Sequence, residues 1–203
     1  GLVFLDSGTN TSSSTGVVDI SASTAGATYT ITYTDTDAET ATFDLTINVL
    51  PTVVVSPSAG TICNGESTTL TATGAASYVW SNGVTGNSIT VSPDTTTTFT
   101  ATGTDSNGCT NTGATTITVN ALPTVSISGT LTYCAGSSTT LDAGAGFASY
   151  SWSSGETTQT ISATAGNYTV TVTDSNGCSN TSAQVTVTEL PLDSATVTYS
   201  SSA

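Results

Sequence analysis

The sequence contains no Lys, no Arg and no His against 14 Asp and Glu, for a formal charge of -14. Nothing on such a chain answers an anion, so nucleic acid and acidic membrane surfaces are very poor partners. The same absences remove the usual general base, the imidazole metal ligand, the Schiff-base amine and the group that activates a Ser or Cys nucleophile. Most enzyme classes close at this step, and the chain is expected not to be an enzyme. No run of about 18 apolar residues occurs, so no membrane insertion is expected. A chain opening "GLVFLD" shows no signal peptide and reads as an excised piece or a mature segment.

What is present is β-forming. Thr makes up roughly a quarter of the residues, and with Ser, Gly, Val and Tyr it gives a composition of short strands and turns rather than helices. A hydrophobic content of 36% with mean hydropathy +0.12 is enough for cores. The regular Val, Ile and Tyr alternation argues against disorder.

Self-similarity decides the organisation. "CNGESTTL" at Cys63 returns as "CAGSSTTL" at Cys134, and "YVWSNG" at Tyr78 returns as "YSWSSG" at Tyr150. An aromatic then stands six residues before an Asp: Tyr29 before Asp35, Phe99 before Asp105 and Tyr168 before Asp174. The hexapeptide "TDSNGC" follows at Thr104 and at Thr173, and "LP" closes each period at Leu50-Pro51, Leu122-Pro123 and Leu190-Pro191. The period is about 70 residues. The expected division is a partial module at 1–50 that lacks its first strand, complete modules at 51–121 and 122–190, and a first strand of a following module at 191–203. In the partial module the hairpin reads "TDTDAE", with Glu39 where the others have cysteine.

Period-two alternation places strands of the last complete module near 124–129, 138–143, 149–153, 158–163, 167–173 and 183–189. In "YTVTVTD" Tyr168, Val170 and Val172 share one face and the threonines the other, as in a sheet with one buried face. Trp80 and Trp152, with Tyr29, Phe99 and Tyr168, are the expected core aromatics between two sheets. The fold expected is all-β, tandem Ig-like β-sandwich modules of about 70 residues in a rod, with no helix.

The order Cys-x-Gly, Tyr-x-Trp-Ser-x-Gly, Ala-Gly-x-Tyr-Thr-Val-Thr-Val-Thr-Asp and Ser-Asn-Gly-Cys resembles the Ig-like and PKD-like repeats of very large Bacteroidetes surface proteins, with SprB-type gliding-motility adhesins the best-known neighbours. The resemblance covers 51–190 well and 1–50 partly. It implies a type IX-secreted, extracellular stalk or adhesin at the cell surface. It also makes Thr95 and Ser194 candidate glycan carriers, since Asp94-Thr95-Thr96 and Asp193-Ser194-Ala195 match the Asp-Ser/Thr-apolar sequence at which such bacteria attach O-glycans.

Three readings compete for the hexapeptide. As structure, Asn-Gly signals a type I′ hairpin turn with both central residues at positive φ, and the upstream Asp bonds the turn's backbone. As a calcium loop it offers only Asp105 with Asn107, or Asp174 with Asn176, where calcium needs six to eight oxygens. Asp35 and Asp37 are the richest calcium candidates, and calcium is the one cofactor to consider. A reactive thiol lacks any cation to lower its pKa.

Cysteine occurs in both places or in neither, which signals pairs. Cys63 with Cys109 and Cys134 with Cys178 is the favoured arrangement, one bond per module in an oxidising setting, worth roughly 4 kcal/mol in the entropic model. In a strict Ig path those positions lie at opposite ends of the sandwich, so either the first strand takes another route or the bond staples neighbouring modules.

The function expected is an extracellular structural repeat of an adhesin, stalk or fibre. Its partners would be neighbouring modules or copies of itself, and surface glycans or other cells. Residues 191–203 of one copy are expected to complete residues 1–50 of the next. The alternative is a carbohydrate- or protein-binding Ig-like module, for which Phe147 and Tyr133 are the loop aromatics.

Overall fold

The computed structural model describes residues 3–5, 17–19, 24–34 and 38–192. In chain order its strands are β1 (Val3–Leu5), β2 (Val17–Asp19), β3 (Thr28–Thr34), β4 (Thr40–Thr46), β5 (Val54–Pro57), β6 (Thr61–Cys63) and β7 (Thr68–Thr73). Then come β8 (Ser77–Trp80), β9 (Ser88–Val91), β10 (Thr97–Thr104), β11 (Thr110–Asn120), β12 (Ser128–Gly129) and β13 (Thr132–Cys134). The last are β14 (Thr139–Asp142), β15 (Ser149–Trp152), β16 (Thr160–Ala163), β17 (Gly166–Tyr168), β18 (Val170–Thr173), β19 (Ser179–Thr181) and β20 (Val185–Leu190). No helix occurs among the described residues, and the fold is all-β.

The chain gathers into two compact units. One comprises Gly1–Ser58, Thr69–Val91 and Thr98–Thr116, the other Ala59–Thr68, Ser92–Thr97 and Ile117–Ala203. They interleave along the sequence.

In the first unit β3 and β4 form an antiparallel ladder from Thr28↔Thr46 through Ile31↔Phe43, with Ile31 buried. Strand β7 lies between β5 and β9 and buries Leu70 and Ala72, while β9 buries Ile89 and Val91. Strand β10 pairs with β8 in the register Ala101↔Trp80 and buries Phe99 and Ala101. The alternation read from the sequence is thus the alternation of burial, because successive strand residues point to opposite faces.

In the second unit the end of β11 runs parallel to β6, with Val119↔Ile62 and Asn120↔Cys63. The same device recurs where β13 runs parallel to β20, with Cys134↔Leu190. Sheets β12-β14-β16, β13-β20-β17 and β15-β18-β19 complete the unit. Their inner faces meet in one core of Tyr133, Leu141, Ala143, Trp152, Ile161, Ala163, Tyr168, Val170, Val172 and Val187. Each fully buried Leu or Val there contributes roughly 1.5–3 kcal/mol of transfer free energy.

Seven of the strands in these sheets sit on the six segments that alternation predicts, the expected 167–173 strand being divided into β17 and β18. The short β13 and β19 escape it, because three residues carry too little period-two signal.

The abundant threonine has a structural use on the outer faces. Cross-strand hydroxyl pairs join Thr28 to Thr46 at 3.1 Å, Thr98 to Thr116 at 2.9 Å, and Thr171 to Thr181 at 2.8 Å. A sheet without a single Lys or Arg has no ion pairs for its solvent face, and hydroxyl pairs fill that place.

Candidate functional site

The repeated hexapeptide builds the same hairpin twice. In the first copy Asp105 N donates to Cys109 O at 3.0 Å and Gly108 N donates to Asp105 O at 3.2 Å. In the second, Asp174 N donates to Cys178 O at 2.9 Å and Gly177 N to Asp174 O at 3.2 Å. Gly108 and Gly177 have φ of 83° and 85°, whereas Asn107 and Asn176 are not at positive φ. The expected type I′ turn is therefore corrected: the loop is a three-residue type I turn closed by a left-handed glycine. A three-residue loop needs that conformation once, so glycine is required at one position rather than two.

Each turn Asp is engaged by its own loop. Asp105 Oδ1 accepts from Asn107 N at 2.8 Å and from Cys109 N at 2.9 Å, and Asp174 Oδ1 accepts from Asn176 N and Cys178 N, both at 2.9 Å. No cluster of three His, Cys, Asp or Glu side chains that could hold a metal occurs among the described residues. Asp35 and Asp37, the richer calcium candidates, lie outside the described residues, as does Ser194. Beside them Ala38 has φ of 65°, the position that glycine holds in the other two copies.

The sulfur pairing differs from the favoured one. Cys63 is bonded to Cys178, with Cα atoms 5.6 Å apart and a sequence separation of 115, while Cys109 and Cys134 are free. The reason lies in the parallel strand β6. It places Cys63 opposite Asn120, at the far end of β11 from the hairpin cysteine Cys109. Eleven extended residues span roughly 36 Å at about 3.3 Å each, far beyond a disulfide's reach. In the same way Cys134 lies opposite Leu190, a dozen residues beyond Cys178. The segment before Cys63 passes from β5, paired with β7, to β6, paired with β11, and the bond joins the Cys-x-Gly turn of one sequence repeat to the Asp-Ser-Asn-Gly-Cys hairpin of the next. Both ends of the bond belong to the second compact unit.

The core aromatics each anchor a neighbouring turn. Trp80 and Trp152 are 2% and 3% exposed, and their Nε1 groups donate to Gly86 O and Thr158 O, each at 2.8 Å. Tyr168 OH accepts from Thr164 N at 3.2 Å and donates to Thr164 O at 3.1 Å, a corner that pins the entry to β17. Tyr29, half-buried, accepts from Thr24 N at 2.8 Å, and Phe99, buried, has no hydroxyl to do the same.

Two residues escaped the sequence reading although the signal was present. In "CTNT" and "CSNT" the residue two after each hairpin cysteine is Asn. Asn111 Nδ2 donates to Pro51 O and Asn180 Nδ2 to Pro123 O, each at 2.9 Å. Each ties the hairpin strand to the proline that opens its own repeat, across 60 and 57 residues of sequence.

Tyr133 is 9% exposed, receives Ala165 N at 2.9 Å on its hydroxyl and belongs to the core, so it is not a loop platform. Phe147 packs against that core and meets Tyr150 edge to face at 5.9 Å. Thr95 is exposed next to Asp94. Asp142 has its carboxyl held below the usual range, first by the Gln159 side-chain amide at 3.0 Å and then by Gly144 N at 2.8 Å.

No family model and no curated protein matches the chain. Among solved structures it is similar to murine CEACAM1b, at 12% identity over 68% of this chain and all of that one, with a TM-score of 0.34. It is also similar to a Ca2+-stabilised adhesin with which an Antarctic bacterium binds ice, at 18% identity over 80% of this chain and 56% of that one, TM-score 0.39. Fibronectin(III)-like modules of Clostridium thermocellum CbhA align at 13% identity over 66% and 94%, TM-score 0.32. With each of these TM-scores below 0.5, the likenesses carry nothing about function.

Proposed function

We propose that the chain is a non-catalytic structural repeat of an extracellular, cell-surface adhesin, stalk or fibre. The observation that carries this reading is the Cys63–Cys178 bond, which fastens one 70-residue sequence repeat to the next. Such a bond belongs to an oxidising compartment, and linking successive repeats is what a load-carrying spacer needs. The repeat division at 51–121 and 122–190, the "LP" prolines stiffening each junction and an extended arrangement belong to the same proposal. In it, residues 191–203 of one copy complete residues 1–50 of the next, and Thr95 and Ser194 carry glycans.

The chemistry of the chain supports the absence of catalysis. Both repeated Asp side chains are spent on their own turns, and no imidazole or amine exists to assist a nucleophile. The alternative reading as a sugar- or protein-binding module loses its two aromatics, since Tyr133 is core and Phe147 packs on the core.

The test is antibody labelling of intact producing cells, with non-reducing peptide mapping of the protein released from them. Surface labelling with the Cys63–Cys178 peptide linked supports the proposal. Labelling only after permeabilisation, with all four thiols reduced, would sink it.

A further inference from the structure

We propose that the outer edge of β3 is a docking site for an extended peptide of a partner protein, which adds to it as an antiparallel strand with aromatic residues alternating inward. Three copies of one strand within this chain carry the idea, independently of the protein's surface role.

Strands β3, β10 and β18 hold the same place in successive repeats, since each runs into the turn Asp that stands six residues after an aromatic, at Asp35, Asp105 and Asp174. In two of the copies the outer edge is filled. Strand β8 pairs with β10 in the register Ala101↔Trp80 and Gly103↔Tyr78, and β15 pairs with β18 in the register Val170↔Trp152 and Val172↔Tyr150. The backbone bonds correspond, with Ser81 N donating to Thr100 O at 2.8 Å and Ser153 N to Thr169 O at 2.9 Å. Both added strands bury their Trp against the core.

The sequence before β3 has no such strand, although its neighbours on both sides are present. Leu5-Asp6-Ser7-Gly8 answers Leu141-Asp142-Ala143-Gly144, and Ile20-Ser21-Ala22 answers Ile161-Ser162-Ala163. Strand β1 pairs with β2 as β14 pairs with β16. Between those marks the later repeat carries Tyr150-Ser151-Trp152, whereas Thr9 to Gly16 reads TNTSSSTG, without one apolar side chain. That stretch cannot supply the alternating aromatics that β8 and β15 supply.

Among the described residues β3 pairs with β4 alone. Ile47 N donates to Ala27 O at 2.9 Å, and continuing the antiparallel alternation from that bonded pair gives Tyr29 and Ile31 their bonds to β4. Thr28, Thr30 and Thr32 therefore turn N–H and C=O to the other edge. Thr30 is the counterpart of Thr100 and Thr169, whose carbonyls accept from β8 and β15. An edge with open donors and acceptors is a template for another chain, and β3, reading TYTITYT, has no Pro or charge to blunt it. The partner's inward residues fall opposite Ile31 and Tyr33, where Trp and Tyr stand in the filled copies. A chain of charge -14 without a cation favours a partner with Lys or Arg flanking that apolar pair. The edge is not the one a first strand would fill, because β5 and β6 pair with β7 and β11.

The experiment uses the whole protein and a synthetic peptide with the sequence of Ala148 to Ser154, ASYSWSS, flanked by lysines, beside a scrambled peptide of equal composition. Saturable binding of the first peptide is expected, with hydrogen exchange of the Thr30 and Thr32 amides slowed about tenfold or more. In β15 the backbone of Ser151 faces β18, as that of Ser153 does, and the backbone of Tyr150 faces away. N-methylation at Ser151 should therefore abolish binding, while N-methylation at Tyr150 should leave most of it. Thr32→Pro removes an outward N–H and should abolish binding as well. The N-methyl pair leaves the protein unaltered, so it tests the same bonds even where Thr32→Pro unfolds residues 1–50. No binding, equal binding of the scrambled peptide, equal loss from both N-methyl positions, or Thr30 and Thr32 amides already slow in the free protein would each overturn the proposal.

Discussion

Pulling the protein by its two ends reads the sulfur connectivity as a length. The bond between Cys63 and Cys178 shields the intervening chain from force, because tension passes from one sulfur to the other. With 115 residues in that loop, about 400 Å of contour stays hidden at roughly 3.5 Å per residue. Reduction, or Cys63→Ser, should release that length in full. The same change should lower the free energy of unfolding by about 4.8 kcal/mol in the entropic model for a loop of this size, a large share of an ordinary domain's net stability. Single-molecule extension of the Cys109→Ser, Cys134→Ser protein, with and without reductant, is the assay, since those substitutions prevent reshuffling. A released length near 400 Å supports the link between repeats. In the wild-type chain two separate releases of about 160 Å, from loops of about 45 residues, would mean one bond within each repeat. Unchanged extension on reduction would refute the bond altogether.

Other outcomes follow from the turns and the core. Asp174→Ala leaves Asn176 N and Cys178 N without their acceptor and should cost about 1–2 kcal/mol, with Asp174→Asn recovering most of it in urea titrations. Ala38→Gly relieves a left-handed alanine and should stabilise by up to about 1 kcal/mol net of the added freedom of the unfolded chain; a lower midpoint would count against the assigned φ. Gly103→Val should destabilise by about 3 kcal/mol or more through overpacking, because a Cβ there would come within 2.6 Å of Val53 Cγ2 and 2.7 Å of Ala75 Cβ, and differential scanning calorimetry would show it. The depressed Asp142 contributes stability above its unfolded pKa of about 3.9 that is lost as pH falls through the lower folded value. Gln159→Met should therefore melt earlier than wild type at neutral pH, with the gap narrowing in acid; a gap constant with pH would exclude the amide as its cause.

Much of the molecule was legible because its information is local. The faces of β18 and β10 could be written from alternating Val, Phe and Thr, and Trp80 and Trp152 occupy the interior that their matching positions implied. The glycine of the hairpin was legible too, though the turn type was not. Asn-Gly suits both a two-residue loop and a three-residue one, and only the pairing of Asp105 with Cys109 separates them. Asn111 and Asn180 were visible as a repeated letter, but their acceptors lie far off in sequence at Pro51 and Pro123.

The amino-acid order alone determined that this protein is a β-structured repeat with no cation to build catalysis upon, because strand faces, turn glycines and charge are properties of neighbouring residues. Which sulfur meets which was decided only in three dimensions. Cys63 had two hairpin cysteines to choose from, identical in their local sequence, and the choice fell to a parallel pairing of β6 with β11 that carries it away from Cys109 and leaves it against Cys178.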